Sequence, residues 1–235
     1  VKERKIPVSN VRGYSTTSVV QQVFASLLEV LNKPSWYFDQ VNKKRWVNCP
    51  DFCFIDHSIR ELSTLTLGII GFGQIGSKLA EVGLSMGMKV LAYNKSKKQA
   101  QGVDFTRSLD DLLSQSDVVS LHLPLSDESR AMINQNTLTK MKDNAILINT
   151  GRGPLIDENE LSQHLKANPA FTAILDVLTQ EPPPLDHPLL GLPNCHITPH
   201  IAWASTKARQ QLVNGIAQNI ANFMEGEWRN RIYEF

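Results

Sequence analysis

The chain has 235 residues, 42% of them hydrophobic and 20% charged, with a formal net charge of +1. That near-neutral balance gives no electrostatic footing for a nucleic-acid or anionic-membrane partner, so neither is expected. No apolar stretch approaches the roughly 20 residues that span a bilayer, and the N-terminus lacks the basic-then-apolar layout of a secretory signal. Three cysteines, Cys49, Cys53 and Cys195, make no disulfide framework, which points to a reducing cytoplasm.

Residues 1–8 carry no initiator methionine and read as the end of a helix running into a strand, as though the chain began partway through a domain. Val19, Val20, Val23, Phe24, Leu27, Leu28 and Leu31 recur with helical rhythm, which predicts a helix over 15–32, capped among Ser15, Thr16 and Thr17 and ended by Pro34. Residues 35–62 are expected to be an irregular surface excursion anchored by Trp36, Trp46 and Phe52. Strand and helix then alternate: strands at 67–71, 89–93, 117–121, 145–149, 172–176 and 196–198, and helices at 73–86, 109–113, 135–141, 158–166 and 205–224. Ser108 is the expected cap of the 109–113 helix. This alternation predicts an α/β fold with a parallel, doubly wound sheet.

The most informative segment is Leu67-Gly-Ile-Ile-Gly-Phe-Gly-Gln-Ile-Gly76, a buried strand breaking into Gly71, Gly73 and Gly76. In such a turn the first glycine allows the tight bend and the second lets a ligand pyrophosphate approach the backbone. The third lets the following helix pack on the sheet. Free N–H groups at that helix start, aided by its dipole, hold negative charge. Ligands of doubly wound sheets bind at the carboxyl ends of the strands. Those ends here carry the glycine turn, Asn94, His122-Leu123-Pro124, Thr150-Gly151-Arg152, Asp176 and Pro199-His200, a polar rim rich in titratable groups.

Arg152, between Gly151 and Gly153, has room for a planar guanidinium that grips a carboxylate with two parallel bonds. The competing reading is a surface arginine paired with Asp157 or Glu158. His200 lies on the same rim as Glu181, and a carboxylate bonded to an imidazole favours its charged, proton-donating form. Asn94 stands where an acidic residue usually bonds the adenosine ribose. A neutral amide there, followed by Lys95, Ser96, Lys97 and Lys98, leans towards NADP competence without excluding NAD. Cys49-x3-Cys53-x3-His57 matches no usual zinc spacing, so no metal is expected.

With Leu147-Ile-Asn-Thr-Gly-Arg-Gly-Pro-Leu-Ile-Asp157, Asp176-Val-Leu-Thr-Gln-Glu-Pro182 and Thr198-Pro-His-Ile-Ala-Trp-Ala204, the chain resembles the D-isomer-specific 2-hydroxyacid dehydrogenases over nearly its whole length. Trp203, the prolines after Glu181 and His187-Pro-Leu-Leu are similar to the glycerate dehydrogenase, or hydroxypyruvate reductase, branch. Formate dehydrogenases of the family usually carry glutamine in place of the glutamate. The resemblance implies a Rossmann-type dinucleotide-binding domain over 13–200, with 1–12 a remnant of a substrate domain and 201–235 a helix returning towards it. Most of that substrate domain would precede Val1.

It also implies roles. Gln74 and Ile75 would offer N–H groups to the pyrophosphate and Asn94 would face the ribose. Leu123, Pro124 and Thr150 would line the cofactor cleft, Asp176 would hold the nicotinamide carboxamide, and Thr16 would reach the nicotinamide end. Arg152 would orient the substrate, with His200 as acid/base backed by Glu181. The implied reaction is hydride transfer between NAD or NADP and a small 2-keto or 2-hydroxy acid, hydroxypyruvate or glyoxylate favoured, in a homodimer pairing through 15–62. The alternative is a dinucleotide-sensing module or inactive fragment without turnover.

Overall fold

The computed structural model describes residues 3–4, 6–96 and 98–232. Strands β1 (Thr66–Ile70), β2 (Lys89–Tyr93), β3 (Val103–Phe105), β4 (Val118–Leu121), β5 (Ile146–Asn149), β6 (Thr172–Leu175) and β7 (Cys195–Ile197) form one sheet in the order β3-β2-β1-β4-β5-β6-β7. Every neighbouring pair is parallel. The sheet is doubly wound, and the order reverses between β1 and β4, where a crevice opens.

Side chains alternate between two buried faces, which is why the strands read as unbroken apolar runs rather than as an in–out pattern. Leu67, Ile69, Val118, Ile146 and Ile148 meet the helices α1 (Thr16–Asn32) and, after α2 (Pro34–Asn42), α3 (Gln74–Ser85). Ile70, Val119, Leu121, Leu147 and Leu175 meet α4 (Leu109–Gln115), α5 (Gln135–Leu138) and α6 (Glu158–Ala167). The last helix, α7 (Thr206–Met224), starts at Ser205, whose hydroxyl accepts the Ala208 N–H.

Short 3-10 turns apart, one α-helix and one strand were not foreseen. Residues 34–42 are helical, not irregular: Lys33, in the left-handed region at φ 49°, closes α1 and Pro34 then occupies the first turn of α2. A proline tolerates that position because its missing N–H has no intrahelical partner there anyway, so it ends one helix and opens the next. β3 carries too few residues to show a period, and only its pairing with β2 defines it. The rest of the excursion is held by Trp36 stacked edge-on against His57, with ring centroids 4.5 Å apart, and by Arg45 over the Phe54 ring. The reading of residues 1–8 falls partly on 1, 2 and 5, outside the described residues. Ser9 makes an isolated antiparallel bridge with Arg231. The other elements lie where the pattern puts them, differing only at their ends.

Asp117 ties the floor of the sheet together. Its Oδ2 accepts the Thr66 N–H (2.8 Å), while Oδ1 accepts from Lys142 Nζ (2.9 Å) and faces Arg60 at 3.9 Å. Burial alone would raise its pKa, but the Lys142 bond, the Thr66 N–H and the two cations bring it below the ordinary 3.8. A lowered folded pKa gives stability that is full above the unfolded value and fades as pH falls through the folded one. Asp117→Asn is therefore expected to lose about 1–3 kcal/mol at pH 7. In urea titrations its deficit against the parent should shrink as acid protonates the parent's carboxylate. A deficit unchanged in acid would mean that the charge contributes nothing.

Candidate active site

Gly71 leaves β1 at φ 95°, and a Cβ there would stand 2.5 Å from the His122 carbonyl oxygen. At Gly76 a Cβ would meet the Gly71 carbonyl oxygen at 2.2 Å, so only glycine lets α3 sit this close to the strand. Nothing lies within 4 Å of a Cβ built at Gly73, the N-cap of α3, which caps no N–H with a side chain. The N–H groups of Gln74, Ile75 and Gly76, in the first turn, thus lack intrahelical partners at an open helix start.

His200 follows β7 in the left-handed region, φ 55°, a conformation unusual for a side chain with a Cβ. Its N–H is anchored on the carbonyls of Asp176 (2.8 Å) and Thr198 (2.9 Å). The Asp176 carboxylate, itself buried, accepts from the Thr198 hydroxyl (2.6 Å) and from the N–H groups of Ile201 (2.9 Å) and Ala202 (2.8 Å). One aspartate therefore shapes the whole turn that presents the imidazole.

His200 Nδ1 lies 2.7 Å from Glu181 Oε2, and Glu181 Oε1 accepts the Leu178 N–H at 2.9 Å. Partial burial pushes the Glu181 pKa up, but the His200 bond, the Leu178 N–H and the nearby His200 and Arg152 charges bring it below the ordinary carboxylate value. Glu181 is ionised at neutral pH.

Arg152 ends in the same place. Its loop is set by Asn149, which is buried and accepts the Gly151 N–H (3.0 Å) while donating to the Arg152 carbonyl (2.9 Å). Arg152 Nη1 donates to the Gly151 carbonyl at 2.6 Å, and among the described residues no carboxylate forms an ion pair with the guanidinium. Asp157 caps α6, and Glu158 bonds Thr179 and His187, so the expected competing partners are engaged elsewhere. Gly153 is needed for a different reason from the one foreseen: a Cβ there would lie 2.0 Å from the Leu178 carbonyl carbon. It packs the arginine loop against the segment that leads to Glu181.

A cavity of about 660 Å³ joins these parts, lined by Ile75, Leu123, Pro124, Thr150, Arg152, Asp176 and His200, with Tyr14 and Trp203 at its side. His122 also lines it, bonded to Ser120 Oγ at 2.8 Å; burial drives its pKa down to about 4, so that ring is neutral. Asn94 is elsewhere, in a second cavity of about 530 Å³ with Lys95, Ser96, Lys98 and Phe105. Its Oδ1 accepts the Phe72 N–H (2.9 Å) and its Nδ2 donates to Ser96, tying the glycine turn to the end of β2. Lys95 reaches Glu128 at 2.7 Å, and Lys97 lies outside the described residues. Gln74 and Thr16 border a recess with Thr17, Ser77 and Lys78 beside the start of α3, so Thr16 lines that recess and not the cavity that holds His200.

Residues 24–202 match the family model described as D-isomer specific 2-hydroxyacid dehydrogenase, NAD binding domain. The chain belongs to this family. A hydroxypyruvate reductase of Blautia hydrogenotrophica is 42% identical over 227 residues, covering 96% of this chain and 70% of that protein. A glycerate dehydrogenase of Methylorubrum extorquens is 38% identical over 231 residues, covering 97% and 72%. Among solved structures, D-lactate dehydrogenase from Aquifex aeolicus, complexed with NAD and lactic acid, superposes with a TM-score of 0.87 at 33% identity, covering all of this chain and 75% of that one. An acyclic imino acid reductase in complex with NADPH and D-Arg gives 0.86 at 34% identity, covering 99% and 73%.

This 2-hydroxyacid dehydrogenase is an NAD(P)-dependent enzyme, and its residues fit a dinucleotide. Thr150 Oγ1 is buried in the cavity wall without a hydrogen-bond partner among the described residues, the state of a group that awaits one from a ligand. Gly73 leaves open space at the helix start, where a pyrophosphate would meet the free N–H groups. In the dehydrogenase the anchoring work of Asp176, the Asn149 brace and the neutral state of His122 were all missed by sequence reasoning. The only signal was their position at strand ends. Among the described residues no helix is long and apolar enough to cross a membrane.

Proposed function

We propose that the chain reduces a small 2-keto acid to the 2-hydroxy acid, with hydroxypyruvate or glyoxylate favoured, using Arg152, Glu181 and His200. The observation that carries this reading is the 2.7 Å bond of Glu181 to His200, which lines the same cavity as Arg152. The names of relatives, hydroxypyruvate reductase, glycerate dehydrogenase and glyoxylate reductase, support the substrate class.

The nicotinamide, when bound, supplies hydride to the carbonyl carbon. Glu181 occupies His200 Nδ1, so the proton leaves from Nε2 towards the carbonyl oxygen, and the ionised carboxylate stabilises the imidazolium until then. Arg152 holds the substrate carboxylate by its fork and adds positive charge where oxygen becomes negative, in a cavity walled by Leu123, Pro124 and Trp203. His122 carries no imidazolium charge at neutral pH, since desolvation drives its pKa down to about 4, and its Nε2 is engaged by Ser120 Oγ.

Coenzyme oxidation with hydroxypyruvate, glyoxylate and a bulky branched 2-keto acid tests this reading. The two small acids should give the higher kcat/KM, and no turnover with any of them overturns it. The coenzyme reading is NADP competence. It is supported by the neutral amide of Asn94 beside Lys95 and Lys98 in the second cavity. Asn94→Asp should lower the kcat/KM ratio of NADPH to NADH about tenfold or more, since a like charge would face a 2′-phosphate. An unchanged ratio overturns that reading.

The proposal extends to assembly. Residues 1–12 are a remnant of a substrate domain and the helix of 201–235 returns towards it, a reading supported by the Asn219 Nδ2 bond to the Asn10 carbonyl and by Val213, Ile216, Ile220 and Phe223 exposed on α7. Exposed Phe38, Trp46, Val47, Phe52 and Ile55 support pairing of two copies through the 15–62 region. Three free cysteines support a reducing, cytoplasmic setting.

A further inference from the structure

Glu158 opens α6 and does not line the cavity of His200, yet both of its carboxylate oxygens are committed. Oε1 accepts the Thr179 N–H at 2.7 Å, and Oε2 lies 3.2 Å from His187 Nε2. The two side chains are nearly enclosed, 13% and 6% exposed. The Leu189 N–H points at His187 Nδ1, which sets the tautomer with the proton on Nε2, aimed at the carboxylate. One buried group thus receives both ends of the segment 179–187. A neighbour on α6, Ser162, adds a tie by donating to the Pro188 carbonyl at 2.9 Å.

Glu181 lies inside that segment. The stretch from Pro182 to Leu185 carries three successive prolines, and Leu185 is almost wholly exposed, so the excursion has little packing of its own. Its geometry depends on where its base is clamped. On one side the Leu178 backbone rests on Gly153, and on the other the Glu158 carboxylate draws Thr179 and His187 together.

We propose that Glu158, with His187, is a positioning residue for the acid/base pair, cross-tying the 179–187 segment so that Glu181 stays at hydrogen-bond distance from His200 Nδ1. The proposal rests on the functional reading above for its kinetic consequences only. The groups facing Glu181 are His200, Arg152 and the Leu178 N–H; those facing Glu158 are His187, the Thr179 N–H and the Cys195 thiol, which burial and the Glu158 charge keep protonated. Loss of the tie therefore weakens the bond to His200 without removing any charge from the cavity.

The test compares Glu158→Ala, Glu158→Gln and His187→Asn in the full-length enzyme. Its first readout is the low-field proton resonance of the hydrogen-bonded His200 Nδ1, assigned by its disappearance in His200→Ala. Glu158→Ala should lose or broaden this resonance. The same variant should lower kcat about 10- to 100-fold, with KM and coenzyme affinity within about twofold, and move the alkaline limb of the kcat/KM profile to lower pH. Glu158→Gln should recover part of kcat, because its amide oxygen still accepts the Thr179 N–H while its NH2 group opposes the His187 Nε2–H. If Glu158→Ala does not fold, His187→Asn is read in the same way and should broaden the resonance. A resonance and alkaline limb like those of the parent in either folded variant overturns the proposal, as does absence of the resonance in the parent. A parent without turnover overturns the functional reading, while the resonance still decides the tie.

Discussion

His200→Ala is expected to lower kcat for keto-acid reduction by about 10³-fold, within the range that a lost general acid costs. Coenzyme affinity should stay within about twofold. The His200 backbone, not its ring, makes the two bonds to Asp176 and Thr198, and Asp176 holds Ile201 and Ala202 independently. Removing the imidazole thus takes away the proton without dismantling the turn. No neighbour can substitute: His122, the other histidine on the cavity wall, is half-buried with its Nε2 bonded to Ser120 Oγ, and desolvation of the ring drives its pKa down to about 4. Steady-state kinetics together with fluorescence titration of NADH and NADPH distinguish the outcomes. Activity within tenfold of the parent, or loss of coenzyme binding along with activity, would falsify the acid assignment. The direction with pH follows: reduction consumes a proton, delivered from His200 Nε2, so kcat/KM falls as pH rises. Glu181, with its pKa lowered, remains ionised across the neutral range.

Arg152→Lys should lower kcat/KM for the keto acid by about 100-fold while leaving unfolding midpoints nearly unchanged. An ammonium keeps the charge but cannot offer two parallel N–H bonds to a carboxylate, so orientation is lost although attraction survives. Stability should survive because the loop is built from other contacts. Asn149 bonds the Gly151 N–H and the Arg152 carbonyl, and Gly153 packs on Leu178. The guanidinium adds one bond, to the Gly151 carbonyl. The loss should appear in kcat as well as in KM, because misorientation raises the barrier while the retained charge still attracts the carboxylate. A kinetically silent lysine would show that the substrate is anchored elsewhere.

Much of the molecule was legible from residue order because its signals are local. The helical rhythm of Val19 to Leu31 and the run from Leu67 to Gly76 depend on backbone periodicity, which neighbours along the chain create. The same holds for the Ser108 cap, whose hydroxyl accepts the Asp111 N–H at 3.1 Å. Illegible elements had the opposite character. Pro34 looks like a helix stop and acts as a helix start, a difference set by the left-handed Lys33 before it. β3 exists through its partner strand.

Residue order by itself determined the parallel sheet, the glycine turn and the set of polar residues at the strand ends, because each is written in contiguous segments. Only the tertiary structure decided how those residues meet. It brings Glu181 within 2.7 Å of His200, leaves Arg152 without a paired carboxylate among the described residues, commits Asp176 to the turn that carries the imidazole, and keeps His122 neutral. Such facts depend on burial and on contacts between segments remote in the chain, and no local pattern encodes the dielectric or the distance that sets them.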